Sequence, residues 1–186
     1  MSDGEKKRDI KWIFTIRITL SVLVTLALLI AIEVICTRFL KIEQWNMRFS
    51  FGFIPVVIAG IMYGPMAGGI VGAISDLIGA TLFPSGPFFP GFTFTSFLTG
   101  FLFALFLYKK QTMGRIIIAT LVNQVVCSLL LTTYWLNILY YSKTSFLVLL
   151  VSRLPQFFIM TAVMILVIRI ICKELVPRIK SALARS

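Results

Sequence analysis

Histidine is absent from this chain, and acids are scarce: 7 Asp and Glu stand against 18 Lys and Arg in 186 residues. Without histidine there is no H-E-x-x-H zinc motif and no Ser-His-Asp triad. No apolar run carries paired acids either, so a metalloenzyme, a hydrolase and a metal transporter are all disfavoured. The 3 cysteines, Cys36, Cys127 and Cys172, are odd in number, lie at or near apolar-run ends and lack metal-ligand spacing. They read as small packing residues. No G-x-x-x-x-G-K-[ST] segment exists to cradle ATP. Neither an Arg-rich voltage-sensor helix, a filter-like loop nor an inverted repeat is visible, which disfavours a channel or a stand-alone secondary transporter. No metal and no cofactor is expected.

What the chain has is apolar length. Hydrophobic residues make up 59% and charged residues 13%, where soluble domains carry about 25% charged. At about 20 apolar residues per spanning helix, the chain holds roughly six helices and no soluble catalytic domain. The expected fold class is an all-α membrane protein of six transmembrane helices in one integral membrane domain, 1–186. Within it, 1–11 is a cytoplasmic segment, 12–172 the bundle and 173–186 a basic cytoplasmic tail. The expected helices run Phe14–Thr37, Phe49–Met62, from Met66 onward, Phe92–Tyr108, Arg115–Tyr140 and Phe146–Cys172. The first run is longer than the ~7–15 residues of a signal-peptide core, so it stays as a helix. Arg38 to Arg48 reads as a polar loop and Gly64-Pro65 as a sharp turn. The prolines and glycines of Phe83 to Gly91 make a rigid non-helical re-entry. A short interfacial helix is expected after Pro177.

The net charge of +11 does not point to nucleic acid, because the Lys and Arg sit in short clusters between apolar runs. That arrangement marks topology and anionic-lipid contact. With the N-terminus inside, only Arg38, Lys41, Arg48, Lys143 and Arg153 of the 18 basic residues fall outside. Both termini are therefore expected in the cytoplasm, with Trp12 anchoring one interface and Trp45 and Trp135 the other.

Asp76, the only acid between Glu43 and Glu174, lies in the apolar tract Gly68–Phe83. A carboxylate at bilayer depth is costly, so it should face a cavity or a partner. Arg38, Trp45, Arg48 and Phe49 come from the first outer loop, and Phe92 and Thr93 from the outer end of helix 4. Asn123, Tyr134 and Trp135 come from helix 5, Arg153 and Gln156 from helix 6. Most non-basic membrane polarity thus falls in the outer half, as a small-molecule pocket would require. Aromatics including Phe88 can stack on a planar ring, and Asp76 can accept a paired donor edge. The arginines can hold carboxylates. Together these point to a flat heteroaromatic body with an acidic tail. On helix 1, Ala27 and Ala31 form a small-xxx-small pattern that permits a close helix crossing.

The segments Arg48-Phe-Ser-Phe-Gly-Phe-Ile-Pro55, Tyr63-Gly-Pro65, Gly68 to Asp76 and Phe83 to Thr93 resemble the substrate-binding S components of energy-coupling factor transporters. Asn123, Tyr134-Trp135 and Arg153-Leu-Pro155 fit the same pattern, most similar to the folate-specific members. The resemblance implies a six-helix, multi-pass protein of the bacterial plasma membrane that binds folate or a related vitamin from outside. It implies a transmembrane coupling protein (EcfT) and two cytoplasmic ATPases as partners, and no enzymatic activity in this chain. It also makes Ala27 and Ala31 a docking surface for the coupling protein, and the loop around Arg38 to Arg48 a gate. Riboflavin, thiamine or another vitamin remains open as the alternative substrate, and a membrane enzyme or scaffold as a more distant reading.

Overall fold

The computed structural model describes residues 19–44, 47–84, 86–139 and 146–183, with the backbone alone for 41–44, 47–49 and 180–183. The expected cytoplasmic segment 1–11, Trp12, the start of the first helix at Phe14, and Trp45 lie outside the described residues. The helices are α1 (Leu20–Arg38), α2 (Phe53–Tyr63), α3 (Pro65–Leu82), α4 (Pro90–Leu107), α5 (Met113–Leu139), α6 (Phe146–Ser152) and α7 (Leu154–Ile170). A π-helical stretch, Ile171–Leu175, carries α7 into α8 (Val176–Leu183). α1, α3, α4, α5 and the rod begun by α7 are each long and apolar enough to cross a bilayer.

Two expectations about the first connection are corrected. Arg38 to Arg48, expected as a polar loop, holds strand structure: β1 (Lys41–Gln44) and β2 (Met47–Ser50) pair antiparallel with Glu43 opposite Arg48. Phe49 is accordingly in a strand, and the second helix begins at Phe53. At 11 residues and about 1.5 Å of rise each, α2 is only about half as long as the hydrocarbon core is thick. Its N-terminus, with Gly52 and Phe53, therefore ends inside the bundle against the cavity described below. The sixth apolar run is also interrupted. Pro155 restricts Leu154 and cannot donate to the preceding turn, so the helix breaks at Arg153 between α6 and α7.

Turn chemistry and small residues set the packing. Gly64 adopts φ 99°, a region open to glycine, and Pro65 then starts α3 at its first turn. The α3–α4 crossing is tight enough that a methyl at Gly100 would lie 2.1 Å from the Gly68 carbonyl oxygen. In lipid such contact comes from van der Waals packing, which small residues permit.

The dry core lies at one end of the bundle. Val57, Ile61, Phe103, Leu107, Ile116 and Ile168 are buried together there, drawn from α2, the second half of α4, the start of α5 and the end of α7. The opposite end carries the hairpin and the connections after α3 and α5. Its interior is not filled with apolar side chains, and the polar residues collect in that space. Within α5, π-helical turns over Gln124–Leu131 change the register by widening the helix. Thr132 spans that widened turn, donating to the Cys127 carbonyl at 2.7 Å.

Candidate functional site: a cavity at the hairpin end

A cavity of about 560 Å³ opens among α1, α3, α4, α5 and α7, under the hairpin end. This lies within the ~300–1,000 Å³ range of small-molecule sites. Arg38, Asp76, Phe92, Asn123, Arg153 and Gln156 of the expected site line it. So do Phe88 and Phe89, which come from the non-helical connection ahead of Pro90.

Asp76 does not stand alone. The Arg38 Nη2 lies 3.6 Å from Asp76 Oδ1 and donates to the Asp76 backbone carbonyl at 3.5 Å. Thr93 donates its hydroxyl to Asp76 Oδ2 at 2.9 Å. One carboxylate thereby ties α1, α3 and α4 together at the cavity mouth. The Arg38 side chain is 9% exposed and that of Asp76 20%, so the pair is partly shielded and stronger than a surface pair. Gly79 makes the pair possible: a methyl there would lie 2.4 Å from Arg38 Nε. Asp76 and Arg38, expected to take different parts of a ligand, lie together at one position.

Arg153 occupies a different wall. It is 5% exposed, held at the α6–α7 break, and its Nη1 donates to Thr133 Oγ1 at 3.4 Å. A charge so buried is tolerated in a bundle interior when it faces a polar cavity. The break at Pro155 is what turns this side chain inward at the helix end.

The aromatic wall is a connected group. Phe89 lies against Trp135 with ring centroids 5.2 Å apart and against Phe92 at 6.1 Å. Trp135 Nε1 donates to Thr95 Oγ1 at 3.1 Å, and Thr95 lines the cavity. Trp135 thus braces the lining from behind. Tyr134 packs on Trp135 at 5.1 Å but is 51% exposed and is not part of the lining. Thr93 acts through Asp76. Arg48 and Phe49 belong to the part of β2 that is described by its backbone alone, and Trp45 lies outside the described residues.

Some lining residues were not counted in the expected site, above all Glu33 and Gln124. Glu33 is 6% exposed on α1 and lines the cavity. The same reasoning that singled out Asp76, an acid within an apolar helix, applies to it. Gln124 is 3% exposed at the first π-helical residue of α5. Its direction depends on that local widening, which apolar periodicity does not reveal. On the outer face of α1, Ala27 and Ala31 are both exposed, while Leu29, Glu33 and Val34 face the bundle.

Residues 21–172 match the family described as ECF transporter, substrate-specific component. The folate transporter FolT of Clostridium novyi (strain NT) is 40% identical over 149 residues, spanning 80% of this chain and 86% of that protein. A crystal structure of FolT bound with folic acid superposes with a TM-score of 0.77 at 33% identity, covering 82% of this chain and 93% of that one. The S component of a bacterial ECF transporter superposes at 0.66 with 27% identity, covering 86% and 98%. The chain belongs to the substrate-specific components of ECF transporters, multi-pass proteins of the cell membrane.

Proposed function

We propose that this chain captures folate or a reduced folate on the outer side of the membrane and delivers it inward as the binding subunit of an ATP-driven complex. The observation that carries this reading is the cavity itself: an aromatic wall and inward-facing arginines on a chain that resembles a folic acid-bound FolT. The planar ring system stacks against Phe89 and Phe92, where offset or edge contacts suit an aromatic ligand. The glutamate carboxylates of the ligand bind Arg38 and Arg153, whose guanidinium groups offer paired donors. Asp76 and Thr93 hold Arg38 in place for that contact.

Orientation follows from the basic residues. Both termini are cytoplasmic and the helices sit in the membrane as one domain, with α2 crossing only part of it, which puts the hairpin end outside. The hairpin over the cavity serves as its gate. Because the chain has no phosphate-binding loop, ATP hydrolysis belongs to two cytoplasmic ATPases coupled through EcfT. The exposed Ala27 and Ala31 present a shallow surface for a helix of that coupling protein.

Mass spectrometry of small molecules released from the purified full chain, expressed in cells supplied with folate, tests this function. Folate or a reduced folate is expected at near-stoichiometric amount. Recovery of another vitamin in its place would refute the assignment.

A further inference from the structure

The cavity face of α5 does not fit a regular helix. From Asn123 to Leu136 this helix lines the cavity, with Cys127 and Thr132 between them. At about 100° per residue, those positions on a regular α-helix would spread over about 220°. That is more than one wall can use. A π turn closes over one residue more than an α turn. Residues beyond Gln124–Leu131 therefore lag by about one position, or about 100°. Asn123, Cys127, Thr132 and Leu136 then fall within about 120° and form one wall.

The last turns of α5 are held in that register from two sides. Thr133 is 0% exposed and accepts from Arg153 Nη1 at 3.4 Å. Trp135 Nε1 donates to Thr95 Oγ1 on α4 at 3.1 Å. A shift of one residue would turn Thr133 and Trp135 by about 100° and break both contacts. The π turns also have a clasp of their own. Thr25, Thr95, Thr120 and Thr161 donate to the carbonyl four residues back, as helical threonines do. Thr132 reaches five back, to the Cys127 carbonyl at 2.7 Å, and its backbone N–H bonds the same oxygen. Two donors converging on one carbonyl hold the wide turn open.

We propose that Thr132 is a positioning residue for ligand capture. By clasping the Cys127 carbonyl it fixes one surplus residue in α5, and that surplus aims the last turns of the helix at the cavity. The role is separate from any ligand contact of Thr132, and its binding readout rests on the folate reading. It makes a specific demand on chain length. Removing one residue inside Gln124–Leu131 restores α geometry and leaves both ends of α5 facing as they do now. Removing a residue from a regular helix instead turns one end by about 100°.

The test compares deletion of Leu130, 45% exposed within the π turns, with deletion of Ile159, 54% exposed in the regular α7. Detergent-purified full chains are read by thermal unfolding and by equilibrium titration with folate. The Leu130 deletion is expected to unfold within about 5 °C of wild type and to bind folate within about 3-fold. The Ile159 deletion turns either Gln156 or Met164 away from the cavity they line. It should lose folate binding and unfold at a far lower temperature. Thr132→Val weakens folate about 5-fold, the worth of one hydrogen bond, and Thr132→Ser restores it. In the Leu130 deletion, Thr132→Val costs nothing further, because no wide turn remains to clasp. An undiminished loss in that background would make Thr132 a direct ligand contact and overturn the proposal. So would wild-type affinity in Thr132→Val, or a Leu130 deletion as damaged as the Ile159 one. Failure of wild type to bind folate would overturn the folate reading, while the unfolding temperatures of the same variants would still decide the register claim.

Discussion

Substituting Gly79 by alanine tests how the mouth of the cavity is assembled. The added methyl would sit 2.4 Å from Arg38 Nε and 2.9 Å from Nη2, where ordinary contact begins at 3.4 Å. The guanidinium is the mobile end of a long side chain, so it yields and the helices do not. A retreat of about 1 Å lengthens the ion pair from 3.6 Å to about 4.6 Å. At an effective dielectric near 20, that weakens the attraction by about 1 kcal/mol, or about 5-fold in an equilibrium constant. Alanine meanwhile raises helix propensity by about 1 kcal/mol, so Gly79→Ala should be at least as heat-resistant as wild type while binding folate about 5-fold more weakly. Titration calorimetry and a thermal-shift assay in the same detergent read the two effects separately. Gly114→Ala is the control, because nothing lies within 4 Å of a methyl there. Wild-type folate affinity in Gly79→Ala would show that Arg38 has no part in binding.

Three further outcomes are expected. Gly100→Ala forces α3 and α4 apart at the Gly68 carbonyl and should cost about 1–3 kcal/mol, visible as a lower unfolding temperature; an unchanged temperature would contradict the crossing described above. The double variant Ala27→Trp with Ala31→Trp should fail to co-purify with the coupling protein and ATPases yet bind folate normally, and retained assembly would move the docking surface elsewhere. Trp135→Phe loses its donor to Thr95, worth about 1 kcal/mol, and should weaken folate about 5-fold while abolishing most ligand-induced quenching of tryptophan fluorescence.

The long spans and the breaks at Gly64-Pro65 and Pro90 were readable in the sequence, since apolar length and Gly-Pro punctuation act locally. The hairpin was not. Its two short strands are linked through Trp45 and Asn46 without the glycine that marks a tight turn, so Lys41 to Ser50 reads as an ordinary polar connection. Pro155 was visible, but whether a proline kinks a helix or ends it depends on what the freed backbone and Arg153 find nearby. The site was legible residue by residue and not as geometry. Arg38 and Asp76 stand 38 positions apart, and only the packing of α1 on α3 with Gly79 between them makes them a pair. Glu33 was read only as an acid near a helix end; the packing of α1 is what brings it to the cavity lining.

The central claim is that this cavity is a folate site, and competition at equilibrium tests it most directly. Purified chain is titrated with labelled folate in the presence of excess folate, riboflavin or thiamine. Saturable binding of one folate per chain is expected, displaced by unlabelled folate and not by the other two vitamins. Displacement by riboflavin or thiamine at equal concentration, or no saturable folate binding, would contradict it.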